Sequence, residues 1–524
     1  MSDRYPVSET AHFQKGKRGL LHLVFSRMGV ILLLVLLQVG MLLALYLKFA
    51  QYAAHYYGIS TLLTMVMAIY LVNRHAEPTY TITWLVFLLA APLPACAFYA
   101  YTQLEIGHRA LRGRLAEITR LSAHMLPPTG AEQALCREAP EETGLVRYLS
   151  TVGGFPVYDR TRATYYPTGE AFFQALLEDL EQAKRSIFLE YFILEEGVMW
   201  GKILDVLTRK VDEGVDVRFL YDGTCEFFRV SRDYCHHLED LGLQCRVFAP
   251  IRPFLSTHYN YRDHRKIAVI DSRIAYTGGV NLADEYINVT HPFGHWKDTA
   301  IRLEGDAART FTLLFLQMWQ MDGRAFSAGP WLDMPAALPQ GDHGYVIPYG
   351  DHPLDGEPVG EWVYTHILNH ARRYVHIMSP YLILDSELED ALRFAAKRGV
   401  EVTLLLPHVP DKKVPFALAK THFLPLMDAG VKIYEYTPGF VHAKVFVSDD
   451  LRGTVGTINL DYRSLYHHFE CGTYLYGAPC VAALEEDFQQ TLAQSRQITR
   501  HEAAHPGLYW RFLGMLSKVL APLM

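Results

Sequence analysis

One polar signature is written twice along this chain, and the duplication limits the fold more than any other feature. The first copy reads His264-Arg265-Lys266-Ile267-Ala268-Val269-Ile270-Asp271 and the second His442-Ala443-Lys444-Val445-Phe446-Val447-Ser448-Asp449, both H-x-K-x4-D. In each copy an asparagine follows 17 residues after the histidine, Asn281 in TGGVN and Asn459 in VGTIN. A lone H-x-K is most simply a half-buried strand with a snorkelling lysine. Two copies with matching asparagines fall far below chance and point to a built site.

Other blocks repeat as well. Ser186 to Leu194 (SIFLEYFIL) ends in Tyr-Phe-Ile-Leu, and Val375 to Leu384 (VHIMSPYLIL) ends in Tyr-Leu-Ile-Leu. An amphipathic stretch then leads to Gly-Val-Asp-Val at 214–217 and Gly-Val-Glu-Val at 399–402. Each block reads strand, helix, strand. A chain of 524 residues exceeds one comfortable core. The expected class is therefore α/β: two homologous halves, 161–335 and 336–500, each a mixed sheet flanked by helices, packed about a pseudo-twofold axis.

Strand geometry explains the motif's spacing. Residues i and i+2 of a strand point the same way, so each histidine and its lysine face one cavity while the apolar run beyond anchors the strand. The motif's candidate catalytic residues are His264, Lys266 and Asp271 with His442, Lys444 and Asp449. The two aspartates lie an odd step from the lysines, on the other face or past the strand end, and are expected to act as supports. A second strand returns to place Asn281 or Asn459 beside the histidine. Gly279 and Thr457 stand where a small residue lets the chain approach an anion. Two imidazoles, two ammonium groups and two carboxamides converging on one point suit a phosphodiester. The lysines and asparagines would bind the phosphate, one histidine would attack phosphorus, and the other would move the proton. This chemistry requires no metal or other cofactor. Each imidazole needs its second nitrogen held, and Asp298 in GHWKDTA and Glu470 in HHFECG are the candidates.

Half of the residues are hydrophobic and 20% are charged, which excludes a disordered chain and suits a membrane part joined to a soluble one. After a polar tail (1–24), a membrane region (25–103) holds two or three apolar segments. Gly29 to Leu47 has no charge over 19 residues, enough to cross a hydrocarbon layer. Tyr56 to Val72 is shorter, and Thr81 to Tyr101 carries Pro92 and Pro94. A helical linker (104–160) follows. Arg4, Lys15, Lys17, Arg18 and Arg27 precede the first segment; Arg109, Arg112, Arg114 and Arg120 follow the third, so both flanks ask to be cytoplasmic. Seven cysteines without C-x-x-C spacing fit a reducing compartment. The expectation is a multi-pass protein of the cell membrane with a cytoplasmic catalytic region. A net charge of -7 and the lack of a long basic run argue against nucleic acid as a partner.

Weaker signals are set aside. His501-Glu502-Ala503-Ala504-His505 matches H-E-x-x-H, but Pro506 follows at once and no third ligand is evident. His236-His237 and His467-His468 read as surface or packing residues. The amphipathic end (501–524), above all Leu508 to Met524, is either a helix lying on a membrane surface or one packed on the catalytic core.

The motifs together resemble the phospholipase D superfamily, and within it the bacterial cardiolipin synthases. EYFILEEG, RPFLST, RDHRKIAVID, TGGVNLADEYIN, GHWKDTA, PYLILD, YEYTPGFVHAKVFVSDD and GTINLDYRSLYHHFECG carry the resemblance, over roughly residues 70 to 495. It implies transfer of a phosphatidyl group from one phosphatidylglycerol to another at a membrane, giving cardiolipin and glycerol. It also implies His264 as nucleophile and His442 as acid/base, which the symmetry of the residues themselves leaves open. The alternatives are a phospholipase D hydrolase, a phosphatidyltransferase with another donor or acceptor, and an inactive membrane scaffold that binds phosphate. Three apolar N-terminal segments depart from the two common in the family, and Gly279 departs from its counterpart Thr457.

Overall fold

The computed structural model describes residues 52–523, except 75–76, 104–105, 251–260, 322–325 and 333–343, with scattered positions between 33 and 47. The chain forms two compact units that divide after Glu105. In the first, the helix Ala53–Asn73 covers the expected segment Tyr56 to Val72 and is, among the described residues, the one long and apolar enough to cross a membrane. The expected span Gly29 to Leu47 lies outside the described residues but for isolated positions. Thr81 to Tyr101 is not one segment. It breaks at Pro92, which has no N–H to extend the preceding helix, into the helices Pro78–Ala90 and Pro92–Gln103. These pack through the fully buried Trp84, 4.9 Å from Tyr99 and edge-on to it.

The second unit opens with the helices Ile106–Ser122, Gly130–Glu138 and Thr143–Thr151. The sequence reads them as a linker, yet they belong to the body. Leu115 and Leu126 enter a core shared with both halves, and Leu135, Val146 and Leu149 enter that of the second half. The buried Glu142 ion-pairs with Arg452 at 2.6 Å and His366 at 3.0 Å. Although burial opposes its charge, these partners hold the carboxyl down at about 2.

The strands of the first half are β1 (Thr161–Tyr166), β2 (Ser186–Tyr191), β3 (Asp216–Asp222), β4 (Gln244–Phe248), β5 (Arg262–Asp263), β6 (Lys266–Ile270), β7 (Ile274–Gly278), β8 (His295–Lys297) and β9 (Ala300–Gly305). Those of the second are β10 (Tyr345–Asp351), β11 (Tyr374–Met378), β12 (Glu401–Pro407), β13 (Lys432–Tyr436), β14 (Gly439–Val441), β15 (Val445–Ser448), β16 (Arg452–Gly456), β17 (His468–Tyr476) and β18 (Ser495–Gln497). The first sheet runs β1-β9-β7-β6-β2-β3-β4, and the second repeats that order as β10-β17-β16-β15-β11-β12-β13, with β18 added at the edge. β2, β3 and β4 are parallel and the other neighbours antiparallel, as are their counterparts, so both sheets are mixed.

The register corrects one detail of the repeat. Leu189 faces Ala268 and Ile377 faces Phe446, while Leu194 bridges Leu282 and Leu382 bridges Leu460. Leu194 is therefore the counterpart of Leu382, two residues before the match of Tyr-Phe-Ile-Leu with Tyr-Leu-Ile-Leu. A slip of two keeps every side chain on its face, so the apolar pattern alone cannot detect it.

Ile267 and Val269 of β6 and Val445 and Val447 of β15 point into one core that the halves share, around Phe311 and Phe315 of the helix Ala308–Trp319. Ala268, Ile270 and Phe446 point instead toward the helices of their own half. The halves also exchange short strands. β5 pairs with β17, and β14 pairs with β8, each contact joining one half to the other with the reciprocity of a twofold interface.

Candidate functional site

Each histidine follows directly on one of those exchanged strands. His264 N–H donates to Phe469 O at 2.9 Å and His442 N–H to Lys297 O at 2.7 Å, so each backbone is pinned by the opposite half. The carboxylates cross over in the same way. Glu470 Oε1 and Oε2 lie 2.8 and 3.0 Å from His264 Nδ1, and Asp298 Oδ2 lies 2.7 Å from His442 Nδ1. With Nδ1 held, Nε2 of each buried ring is left for chemistry. Burial first, then the neighbouring lysines, push both imidazoles down, His442 to about 4 and His264 well below its ordinary value. Lys444 and His442 act on His264, and Lys266 acts on His442, so the two motifs share one electrostatic environment.

Lys266 Nζ donates to His264 O at 2.6 Å; Lys444 Nζ donates to His442 O and lies 2.9 Å from its Nδ1. Burial lowers Lys266 to about 8 and Lys444 to about 7. The carboxyl groups diverge. Burial raises Glu470 well above the usual range despite the opposing pull of Lys266 and Thr457. At Asp298 burial is outweighed by His442, Lys444 and the Thr299 N–H, and the carboxyl is held low.

Gly279 and Thr457 lie behind the histidines, where their N–H groups donate to Thr299 O and Cys471 O and are not free to cradle an anion. A Cβ on Gly279 would sit 1.9 Å from Asp298 Oδ1 and 2.8 Å from His442 O, so only glycine fits. The Thr457 hydroxyl donates to Glu470. Asn281 accepts from Ile193 N–H at 3.0 Å and donates to Tyr286 Oη at 2.8 Å, which leaves its amide one further hydrogen. Asn459 bonds Asp461, and its Oδ1 is buried without a partner among the described residues.

Asp271 and Asp449 do not reach the histidines. Asp271 accepts the backbone N–H groups of Lys184, Arg185 and Ser186 at 3.0, 2.7 and 2.9 Å, and Asp449 those of Arg372, Arg373 and Tyr374 at 2.7, 2.8 and 3.1 Å. They cap the starts of β2 and β11 from a left-handed turn, at φ 52° and 58°. Asp271→Ala is therefore expected to lower stability by about 1 to 3 kcal/mol through unsatisfied N–H groups, while the folded enzyme keeps its turnover. Thermal unfolding and rate per folded molecule check this.

Sequence reasoning missed three neighbours of the histidines. His468 is buried, its ring 5.2 Å from that of His264 and its Nδ1 3.7 Å from Glu470 Oε1, with neither nitrogen hydrogen-bonded among the described residues. Trp296 and Tyr286 pack on His442 at 5.5 and 5.4 Å. The available signal was alternation: on β17, His468 lies two residues before Glu470 and so shares its face. His236 is exposed and paired with Glu239. Glu502 of the H-E-x-x-H match closes a capping box with Thr499 and bonds Arg496. Donor atoms of His264, His468 and Glu470 lie within 4.8 Å of one another, a spacing a cation could bridge, but the nearby Lys266 opposes a dication there.

The sequence matches the family described as "Cardiolipin synthase, PLD-like domain" over residues 176–319 and 364–492, one stretch in each half. The chain belongs to the cardiolipin synthase family. It is accordingly a phosphatidyltransferase of phospholipase D type. It is 35% identical over 468 residues to "Cardiolipin synthase 2" of Bacillus cereus, covering 87% of this chain and 88% of that one. An uncharacterised protein of Streptococcus mutans serotype c is 50% identical over 465 residues, 87% of this chain and 99% of its own. Among solved structures, phosphatidylserine synthase of Haemophilus influenzae Rd KW20 shares the fold with a TM-score of 0.55 at 15% identity, covering 69% of this chain and 93% of that chain.

Proposed function

We propose that this member of the family makes cardiolipin and glycerol from two molecules of phosphatidylglycerol, at the cytoplasmic face of a cell membrane that it enters through its N-terminal helices. The observation that carries the reading is the reciprocal pairing of His264 with Glu470 and His442 with Asp298 around one charged pocket. His264 Nε2 attacks phosphorus, the bond to the leaving glycerol oxygen breaks, and His442, which must enter this step as the imidazolium balanced by Asp298, supplies that oxygen with its Nε2 proton. The terminal hydroxyl of the second phosphatidylglycerol then gives its proton to His442 as its oxygen attacks. The phosphorus–nitrogen bond breaks, and His264 is released. Lys266 and Lys444 neutralise the phosphoryl oxygens, and the spare N–H groups of Asn281 and Asn459 add donors. Gly279 and Thr457 serve the carboxylates, and Asp271 and Asp449 the scaffold.

Supplying vesicles of phosphatidylglycerol alone tests the reading. Cardiolipin and glycerol in equal amounts are expected. Phosphatidic acid as sole product would make the enzyme a hydrolase, and no lipid product would return it to a scaffold. Because the lysines titrate at about 7 and about 8, kcat/KM is expected to fall as pH rises through that interval. Lys444→Arg, which keeps its charge, should move the fall to higher pH.

A further inference from the structure

The C-terminal helix Leu508–Leu520 adds no residue to the site described above, and its two sides meet different surroundings. Inward it packs on the helix Lys413–Asp428. Trp510 stands edge-on to Phe416 at 5.2 Å, Ser517 is buried, and a Cβ on Gly514 would lie 2.7 Å from Ala417 O. That close approach fixes which side faces out. Outward, Leu508, Tyr509, Phe512, Met515 and Leu516 are 55 to 89% exposed. Leu508, Phe512 and Met515 recur at steps of four and three, with Tyr509 and Leu516 beside them, so the five form one stripe. Elsewhere in the second unit the exposed large apolar side chains that the structure describes, such as Val152, Phe228 and Phe394, are single in their stretch of chain. The tail is thus packed on the core, as one sequence-based alternative has it, and still holds the outward apolar face that the other requires.

We propose that this face lies in the surface of a phospholipid bilayer with anionic headgroups, a second membrane contact made by the catalytic body itself. Thirteen residues at 1.5 Å each reach about 20 Å, short of the hydrocarbon thickness, so the helix can lie along a membrane but not cross it. Its charges choose the occupant. Arg511 and Lys518 are exposed, stand seven residues apart and so line the same edge of the stripe, and the helix contains neither Asp nor Glu. Arg511 makes no ion pair among the described residues. Lys518 acts from beyond ion-pair distance on Glu389, a carboxylate already bonded to His422 at 2.7 Å. Cations at this edge can rise to headgroup phosphates while the apolar side chains beside them sink below, and the Tyr509 hydroxyl stays at the polar boundary. A second copy of the chain fits less well. Twofold antiparallel pairing about the middle of the helix would bring Arg511 of each copy to Lys518 of the other, like charges with no carboxylate on the helix to offset them.

A photoreactive benzoylphenylalanine in place of Phe512 tests the proposal, in the full-length protein reconstituted into vesicles of phosphatidylcholine and phosphatidylserine. Neither lipid carries a glycerol headgroup and no turnover is needed, so the outcome is independent of the transfer reaction proposed above. The peptide that holds position 512 is expected to gain the mass of one phospholipid. A cross-link to a second copy or to another segment of the chain would overturn the proposal, as would the absence of any adduct. Leu508→Asp combined with Leu516→Asp, both on the outward face, should cut the lipid adduct at least tenfold while thermal unfolding stays unchanged. Arg511→Gln and Lys518→Gln should each cut it about fivefold in the mixed vesicles and change it little in phosphatidylcholine alone. Lipid adducts that ignore all four substitutions would contradict a helix docked by this face.

Discussion

His264→Ala and His442→Ala are each expected to lower kcat/KM for cardiolipin formation by at least about a thousandfold, with the folded structure retained. The reason is division of labour. In the proposed mechanism one ring carries the phosphatidyl group and the other the proton, so neither can replace its partner. The double variant should be little worse than either single one, because residues that act as a unit lose their joint effect at the first deletion. A nucleophile can also be told from an acid/base by substrate. If His442 supplies the proton, His442→Ala should recover part of its first step with a leaving group of low pKa, such as a nitrophenol, whereas a His264→Ala enzyme should not. Initial rates on natural and activated donors check both statements. Equal recovery in both variants would contradict the assignment of roles.

The second large effect concerns the crossed carboxylates. Asp298→Asn and Glu470→Gln keep the shape of the pocket but replace the carboxyl group that sits 2.7 to 2.8 Å from each Nδ1 with an amide. Losses of about 10² to 10⁴ in kcat are expected, since an amide can hold the wrong tautomer and cannot balance an imidazolium. The two should not be equal in their effect on the resting site. Asp298 is held ionised beside His442 and Lys444, so its neutralisation should lower the lysine's proton affinity further and move the alkaline fall of kcat/KM to lower pH. Glu470 is pushed toward the neutral acid by burial, so Glu470→Gln should move that fall to lower pH by less than Asp298→Asn does. Paired pH–rate profiles of the two variants measure the difference, and identical shifts would contradict it.

How much of this could be read from residues alone depended on whether the information was local. The doubled H-x-K-x4-D and its asparagines were legible because strand alternation ties residues i and i+2 to one face. The mixed α/β halves followed from the repeat. Glu470 and Asp298 could be named as partners of the imidazoles, but not that each serves the histidine of the other half. That depends on β5 crossing to β17 and β14 to β8, pairings two to three residues long with no periodic signal. The same crossing hid His468, which in sequence is one of two adjacent histidines and in the fold is the buried neighbour of His264. The segment 104–160 read as a linker because its charged residues dominate the composition, whereas a few apolar positions such as Leu135 and Leu149 decide its packing. Gly279 and Thr457 looked like anion contacts because small residues after a strand often are; here close strand approach and a carboxylate occupy that space.

The central claim is that both motifs act on a single phosphorus atom through a covalent phosphohistidine. Phosphatidylglycerol labelled in its phosphate, quenched in alkali during turnover and followed by peptide mapping, tests it most directly. The account predicts acid-labile label on the peptide that contains His264, absent in His264→Ala and accumulating in His442→Ala when an activated donor is supplied. Full turnover with no label on either histidine, or label on both in equal measure, would contradict it.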